Sequence, residues 1–519
     1  MAAESTKPKT LDEGGKNIVA LMTALLVAIF AFQLNASMLS PALVAMQNEL
    51  NTTATEIGNT QTVFFTAAAL FSLFLPRLAD IVGRKKVLSG MLLITALGCI
   101  VSAAAQDVTM LMVGRIMQGV AGPVVPMCLI MLHTQVTEEA RYTKLMAILT
   151  SVNGGIAGVD AILGGWLAGN FGFRSVFICM AVVAVLAVVL VWFCSKESKA
   201  EGSPKMDWAG VVTLGIAFLS AYLAINEIQK LAKADLVMVA VLVVVAAVFF
   251  VVFWNIEKKK DAPMVSTHYL KQRRTWGLLL TTLLTMTGVF AIMNGVVPAI
   301  AQDEACGVAM GADVVSFATL TPYALLGLCF GPVAGVLASK FGYHAVLRAG
   351  LVVSILGALF GIFVAHNTSI ATLVVISVVL GISYAGTANI MLNGLGIVLS
   401  PKDNTGYLPG MNAGAFNLGA GLSFAVLYAA MDAYAAQAGA AGGYAAAMVM
   451  GAILLVLALA TSFLIPKAED ADNSQSRLRR LRVRSHSRRL CTKLRLSWQE
   501  SPRLGILVDS KFASRGLSR

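Results

Sequence analysis

Charged residues are scarce in this sequence. Asp, Glu, Lys and Arg make up 13% of the 519 residues, whereas hydrophobic residues make up 57%. A soluble domain carries about 25% charged residues, so this chain has too little polar surface to cover its apolar side chains in water. The composition excludes a soluble globular protein and indicates a polytopic membrane protein.

Motifs for nucleotide, metal or covalent chemistry are also missing from the sequence. The seven cysteines are scattered, without the spacing of a disulfide framework or a metal site, and no phosphate-binding glycine loop occurs. We therefore expect no enzyme activity and no cofactor, and a proton gradient rather than ATP would drive any uphill transport. The net charge of +12 does not indicate a nucleic-acid partner, because Lys and Arg lie in alternate loops and near the end of the chain.

Fourteen apolar stretches are long enough to cross a bilayer as helices. We predict spans at residues 18–41, 58–78, 87–106, 109–132, 144–168, 175–195, 208–226, 235–256, 276–300, 314–338, 345–365, 369–394, 405–431 and 440–465. Every second loop is rich in Lys and Arg, so the positive-inside rule places both termini in the cytoplasm. We expect no cleaved signal peptide, and a multi-pass protein of the cytoplasmic membrane.

A short charged turn joins the second and third predicted spans. It contains Asp80, Gly83, Arg84 and Lys85, and begins at Pro76. Glycine permits a chain reversal that a side chain would hinder, and an Asp near a helix end can accept hydrogen bonds from the Arg or from a neighbouring helix end. The Asp80-x-x-Gly83-Arg84-Lys85 core resembles the loop between helices 2 and 3 of the major facilitator superfamily of secondary transporters. The resemblance implies that these four residues gate the cytoplasmic side.

A second copy of this turn, residues 335–342, occurs halfway along the chain, with Ser339 in place of the Asp. The arrangement resembles the fourteen-helix, drug:proton antiporter branch of the superfamily, which implies an all-α membrane fold of two six-helix halves plus two inserted helices. The predicted regions are a cytoplasmic N-terminus at 1–17, an N-terminal half at 18–195, an inserted helix pair with its flanking loop at 196–257, a basic loop at 258–275, a C-terminal half at 276–466 and a basic tail at 467–519. The tail either contacts anionic lipid or is a remnant unrelated to the fold.

Two ionisable residues lie deep in predicted spans, where a charge is costly and marks function. Arg115, within Arg115-x-x-Gln118-Gly119, resembles the family's span-4 pattern, whose Arg is implicated in proton coupling. Asp160 and Ala161 stand at the Gly-Pro positions of the antiporter pattern in span 5. We expect Asp160 to face a cavity or Arg115, either as a proton-exchanging carboxylate or as half of a permanent ion pair. The alternative for Arg115 is a structural role, in which it donates to backbone carbonyls across a packed interface.

Neutral polar side chains in corresponding spans of the two halves predict a shared substrate cavity. These residues are Gln33, Asn35, Gln61, Asn153, Asn294, Asn389, Asn393, Asn412 and Asn417. For any single Asn, the alternative is a hydrogen bond that only holds two helices together. We assign no ligand to the many Met and Phe residues.

The leading functional hypothesis is proton-coupled export of lipophilic or amphipathic compounds, as in multidrug resistance. Asp160 and Arg115 would carry the coupling step, and the partners would be the substrate, protons and the lipid bilayer, with the chain acting as a monomer. Two departures from the antiporter pattern, the missing Gly-Pro and Asn35 where span 1 of that branch has Asp, favour the alternative of a permease or symporter for a polar metabolite. A third hypothesis, a non-transporting membrane sensor, lacks support because no soluble signalling domain adjoins the spans.

Overall fold

The computed structural model describes residues 11–136, 138–199, 206–230, 234–260, 265, 267–401 and 407–467. Every regular element in this part of the chain is helical, which confirms the predicted all-α class. The helices are α1 (Leu11–Ser37), α2 (Leu43–Glu49), α3 (Ala54–Val82), α4 (Arg84–Ala103), α5 (Val108–Gly119), α6 (Val124–Gln135), α7 (Glu139–Phe171), α8 (Phe173–Cys194), α9 (Trp208–Ile228), α10 (Leu236–Lys259), α11 (Thr267–Leu270), α12 (Arg273–Ala291), α13 (Val297–Gln302), α14 (Ala312–Ala318), α15 (Leu320–Phe341), α16 (Tyr343–His366), α17 (Ile370–Leu380), α18 (Asn389–Val398) and α19 (Tyr407–Ser462). A 3-10 turn at Ser40–Ala42 and π-helical segments at Ile292–Val296 and Gly381–Ala388 interrupt three of the spans.

Twelve helical stretches of the described chain are long and apolar enough to cross a membrane. One of them, α19, is interrupted at Gly439, whose φ of 73° is not helical, between the last two predicted spans. A further helix of 33 residues, α7, stands where the fifth span is predicted. The total of fourteen spans stays a prediction.

The predicted charged turn is much shorter than the sequence indicates. Helix α3 contains Pro76 and continues through Asp80 to Val82, and α4 starts at Arg84. Between the two helices only Gly83, with a φ of 134°, is non-helical. The reversal is possible in one residue because glycine has no Cβ to oppose that angle.

The two ends of the helical bundle differ in charge. One end, the basic end, carries Lys85 and Lys340 beside its turns. The other, the acidic end, carries Glu49 at the end of α2, Asp303 in a loop and Asp432 within α19. This polarity follows from the alternation of basic loops along the sequence.

The two predicted halves are joined at the acidic end. Asp432 of α19 accepts a hydrogen bond from the backbone N–H of Thr55 in α3, at 3.1 Å. On the other side of the bundle, Ser316 Oγ of α14 donates to the carbonyl oxygen of Ala161 in α7, at 2.8 Å. A Cβ at Gly165 would lie 2.3 Å from the carbonyl oxygen of Ala312, so only glycine allows α7 and α14 to approach so closely.

The inserted pair, α9 and α10, packs on the outside of this interface. Near the basic end, Leu214 of α9 and Phe253 of α10 form a buried cluster with Val265, against which Leu73 of α3 and Met411 of α19 pack. The rest of α10 is largely exposed, as expected for a helix that faces lipid. The pair therefore contacts both halves.

Candidate functional site

The first span is broken near its middle. Helix α1 ends at Ser37, a 3-10 turn follows at Ser40–Ala42, and α2 continues from Leu43. Pro41 lies in this turn and lacks the N–H that would continue the α-helical hydrogen bonds. The break leaves carbonyl oxygens at the end of α1 without helical partners, in the interior of the N-terminal half.

Arg115 of α5 binds the broken end of α1. It is fully buried, and its Nη1 and Nη2 both donate to the carbonyl oxygen of Asn35 at 3.2 Å. A helix C-terminus carries partial negative charge, so the end of α1 supplies the attraction that an acidic side chain would otherwise provide. A buried cation is thereby held in place by backbone.

Neutral groups complete the surroundings of the Arg115 guanidinium. Nη1 donates to Gln118 Oε1 at 2.6 Å and Nη2 to Gln61 Oε1 at 2.7 Å. The ring of Phe64 lies 4.1 Å from the guanidinium carbon, within range of a cation–π contact. Among the described residues Arg115 has no acidic partner, so the expected contact with Asp160 is not formed in this structure. A role for either residue in proton coupling stays a prediction.

Asp160 of α7 approaches the same break from another side. Its side chain is buried, with 1% of its surface exposed, and Ser37 Oγ donates to Oδ2 at 2.5 Å. Oδ1 has no hydrogen-bond partner in the described part of the chain. One helical turn further, a Cβ at Gly164 would lie 2.0 Å from the carbonyl oxygen of Met38. The missing side chain lets α7 bring the carboxyl group against the end of α1.

The first span of the C-terminal half is irregular at the corresponding place. The π-helical segment Ile292–Val296 follows α12 and contains Asn294, which is 5% exposed. Ser40 Oγ, from the break in α1, donates to Asn294 Oδ1 at 3.4 Å. π-helical segments are frequent at functional sites, and this one joins the two halves at the break.

A row of aromatic rings runs between the halves beside these polar groups. Phe64 and Phe65 of α3 are in edge contact at 4.8 Å, and Phe65 meets Phe290 of α12 edge to face at 5.2 Å. Phe424 and Tyr428 of α19 extend the row at 6.1 and 5.6 Å. Aromatic residues are not among the ligands expected from the sequence. The signal that could have found them is the position of Phe65 on the face of α3 that also carries Gln61.

Four of the predicted cavity residues lie at or beside the break in α1. Gln61 binds Arg115 through its side chain, whereas Asn35 binds it through the backbone oxygen and its own amide donates to the carbonyl oxygen of Ala31. Asn294 faces Ser40, and half-buried Gln33 lies one turn before Ser37. A fifth candidate, Asn153, is on α7, and its side chain lies outside the described part of the structure.

The remaining predicted cavity residues lie closer to the basic end. Asn412 Oδ1 accepts from Thr282 at 2.7 Å, so this residue ties α19 to α12. Asn393 is exposed and donates to Asn389 Oδ1 on the same helix at 3.0 Å. Asn417 is half-buried on α19. The structure therefore does not gather all the predicted residues at one point.

The charged turn at the basic end is held by a residue that the sequence does not single out. Arg84 donates to Asp80 Oδ1 at 3.0 and 2.8 Å, as expected. Glu197, after α8, accepts from the backbone N–H of Lys85 at 3.0 Å, which places a carboxylate at the N-terminus of α4. A Cβ at Gly83 would lie 2.7 Å from that carboxyl group. No local pattern links Glu197 to a turn 112 residues earlier.

Comparison with known proteins identifies the relatives of this chain. It is 58% identical over 472 residues to the uridine/deoxyuridine transporter of Lactococcus lactis subsp. cremoris (strain MG1363), a match that covers 90% of this chain and 98% of the relative. It is 22% identical over 284 residues to multidrug resistance protein 3 of Bacillus subtilis (strain 168), with 54% of each chain covered. The crystal structure of a mutant of the nucleoside transporter NupG superposes with a TM-score of 0.58 at 14% identity, covering 86% of this chain and 100% of that one.

The family assignment follows from a sequence model as well as from these relatives. The model of the Major Facilitator Superfamily matches residues 25–426 and, in an overlapping stretch, 278–508. The solved neighbour shares the same fold. This chain is a transporter that belongs to the Major Facilitator Superfamily.

Proposed function

We propose that this chain transports uracil nucleosides, uridine and deoxyuridine, across the membrane. The observation that carries the proposal is the 58% identity to a uridine/deoxyuridine transporter over 98% of the length of that relative. The proposal keeps the polar-metabolite alternative from the sequence analysis and gives it a substrate class.

The leading hypothesis from the sequence, proton-coupled export of lipophilic or amphipathic compounds, is wrong. The relative with 58% identity is named for uridine and deoxyuridine, whereas the multidrug proteins match at 22–25% identity and over smaller shares of their length. The loop and span patterns that suggested a drug:proton antiporter are shared across the superfamily. The two departures from the antiporter pattern, at Asn35 and at Asp160–Ala161, were the informative signals.

The chemistry of the α1 break suits a nucleoside. A nucleoside is uncharged at neutral pH, presents hydroxyl groups on the sugar and carries a flat base. Ser37, Ser40, Asp160 and Asn294 provide hydrogen-bonding groups at the break, and the Phe65–Phe290 pair beside them provides an aromatic surface. Small-molecule sites commonly combine a few placed polar groups with an apolar lining.

We further propose that Asp160 binds the coupling proton and that transport runs into the cell. Ionisable residues within membrane spans are rare and mark substrate, ion or proton pathways, and Oδ1 of Asp160 has no partner among the described residues. The distribution of Lys and Arg places the basic end and both termini in the cytoplasm. The nucleoside would then enter when the contacts at the acidic end separate, in the alternating-access manner of related halves.

Uptake of radiolabelled uridine into cells that lack their own nucleoside transporters tests the proposal. We expect uptake that deoxyuridine inhibits, that a lipophilic cation does not inhibit, and that falls when a protonophore collapses the pH gradient. Asp160→Asn should abolish accumulation against a gradient while exchange of uridine across the membrane persists. The matched control is Glu257→Gln, which neutralises a carboxyl group buried in α10, away from the break.

Three outcomes would count against parts of this proposal. Absence of uridine uptake in cells that display the protein would overturn the substrate. Accumulation that survives Asp160→Asn would move proton coupling to another group. Equal loss of uridine accumulation in Asp160→Asn and Glu257→Gln would mean that neutralising any buried carboxyl group has this effect.

A further inference from the structure

The side-chain amide of Gln61 has a fixed orientation. Arg115 Nη2 donates to Gln61 Oε1 at 2.7 Å. A guanidinium group has only donors, so the oxygen of the amide must face Arg115 and Nε2 must point away from it. The contact with Arg115 therefore sets the direction of this N–H donor.

The donor at Gln61 Nε2 is buried and unused. Gln61 is 2% exposed, and Nε2 has no hydrogen-bond partner in the described part of the chain. A buried donor without an acceptor is destabilising. A ligand that brings an acceptor to this nitrogen would remove that cost and would be bound more tightly for it.

Gln61 lies beside the face of α3 that meets the C-terminal half. On that face Thr62 Oγ1 donates to the carbonyl oxygen of Gly421 at 3.0 Å, and Phe65, four residues after Gln61, contacts Phe290 at 5.2 Å between ring centres. Residues four apart share one side of a helix. Gln61 therefore lies one helical turn from the aromatic pair, at the edge of the interface between the two halves.

A second glutamine provides an internal comparison. Gln118 Oε1 also accepts from Arg115, at 2.6 Å, but its Nε2 donates to Ser102 Oγ at 2.9 Å. The two amides have the same charged neighbour and nearly the same burial. Of these two donors, only that of Gln61 is without a partner among the residues that the structure describes.

We propose that Gln61 Nε2 donates to the 4-carbonyl oxygen of the uracil ring and so selects uracil over cytosine. This inference rests on the proposed function. Uridine and deoxyuridine differ at the 2′-position of the sugar and share the uracil ring, so the ring offers the same acceptors in both. Cytosine carries an amino group at position 4, and two donors would then face each other. A site built to hydrogen-bond a substrate rejects an analogue that leaves its buried group unpaired.

Reversing the hydrogen-bonding character of the side chain tests this assignment. In Gln61→Glu, one carboxylate oxygen keeps the contact with Arg115 and the other becomes an acceptor for the 4-amino group. Uptake of labelled uridine and labelled cytidine is measured at equal amounts of protein on the membrane. We expect the ratio of cytidine to uridine uptake to rise by about tenfold or more relative to wild type. In Gln118→Glu, which places the same charge next to Arg115, we expect this ratio to stay within about twofold of wild type.

A second variant keeps the test decisive if Gln61→Glu does not fold. Gln61→Met removes both the donor and the acceptor. It should abolish the wild-type preference for uridine over cytidine, which lacks the 4-oxygen. Uridine uptake with an unchanged base preference in both variants would overturn this inference alone, as would an equal change in Gln118→Glu. Lack of uridine uptake by the wild type would overturn the proposed function and this inference with it.

Discussion

Arg115 is a buried cation whose binding partners are neutral. The two Nη atoms share the carbonyl oxygen of Asn35, and two glutamine oxygens accept further bonds. A fork of donors suits this arrangement because the end of a helix offers several electronegative oxygens at once. The contact explains how α1 can end inside the membrane and why the broken end keeps a defined position.

Replacing Arg115 by Lys keeps the charge and removes the fork. We expect Arg115→Lys to lower uridine uptake by about tenfold or more and to lower the thermal midpoint in detergent, because an ammonium group cannot span Asn35 and Gln61 together. The control is Arg174→Lys at the acidic end. Arg174 is exposed and lies 2.7 Å from Glu49, and we expect its substitution to change the free energy of unfolding by at most about 1 kcal/mol. Equal effects of the two substitutions would contradict a special role for the Arg115 fork.

Helix α7 approaches the break in α1 closely. Gly164 permits this approach, since a Cβ would lie 2.0 Å from a backbone oxygen of the break. We expect Gly164→Ala to push α7 away, to separate Asp160 from Ser37 and to reduce uptake by about tenfold or more. The matched variant is Gly215→Ala in α9, where a Cβ would meet no described atom within 4 Å. There the substitution should stabilise the helix by up to about 1 kcal/mol. A Gly164→Ala protein with full uptake would contradict the importance of this packing.

The two charged turns of the halves differ in what surrounds their glycines. Gly83 and Gly342 both have a positive φ, at 134° and 83°, but of the two only Gly83 has a described neighbour, Glu197, in the place of a Cβ. We expect Gly83→Ala to destabilise the protein more than Gly342→Ala, because it combines backbone strain with a collision. Thermal unfolding in detergent measures the difference. Adding Glu197→Ala to Gly83→Ala should recover part of the loss if the collision is real, and no recovery would assign the whole cost to backbone strain.

At the scale of the whole molecule, the acidic end is where the halves are joined. A Cβ at Gly169 of α7 would lie 3.0 Å from Cβ of Asp313 in α14, so a shift of about 0.5 Å or more would bring the pair to the Cβ–Cβ separation of a disulfide. We expect the pair Gly169→Cys and Asp313→Cys to crosslink under oxidation and to block uridine uptake, with recovery on reduction, because alternating access requires these helices to separate. The single variants control for the substitutions. Transport by fully crosslinked protein, with the crosslink verified by mass spectrometry, would contradict opening at this end.

The class of the protein follows from the sequence by itself. Long apolar stretches must become helices in lipid because each helix satisfies its own backbone, and the alternation of basic loops requires no tertiary information. The Asp80–Lys85 turn is local as well, so its Arg84–Asp80 contact was predictable from spacing. The substrate was not, because the loop and span patterns are common to carriers of many compounds.

Only the tertiary structure decided how the site is built. The partners of Arg115 come from α1, α3 and its own helix, and Asp160 meets Ser37 across 123 residues of sequence. Spacing along one helix predicts which face a side chain occupies, but not which other helix arrives there. The Asp160–Arg115 contact, one of the two arrangements expected from the sequence, is not formed for this reason. The C-terminus of the broken α1 binds Arg115 in place of an acid, and no periodicity in the sequence reveals that a helix ends there in the interior of the bundle.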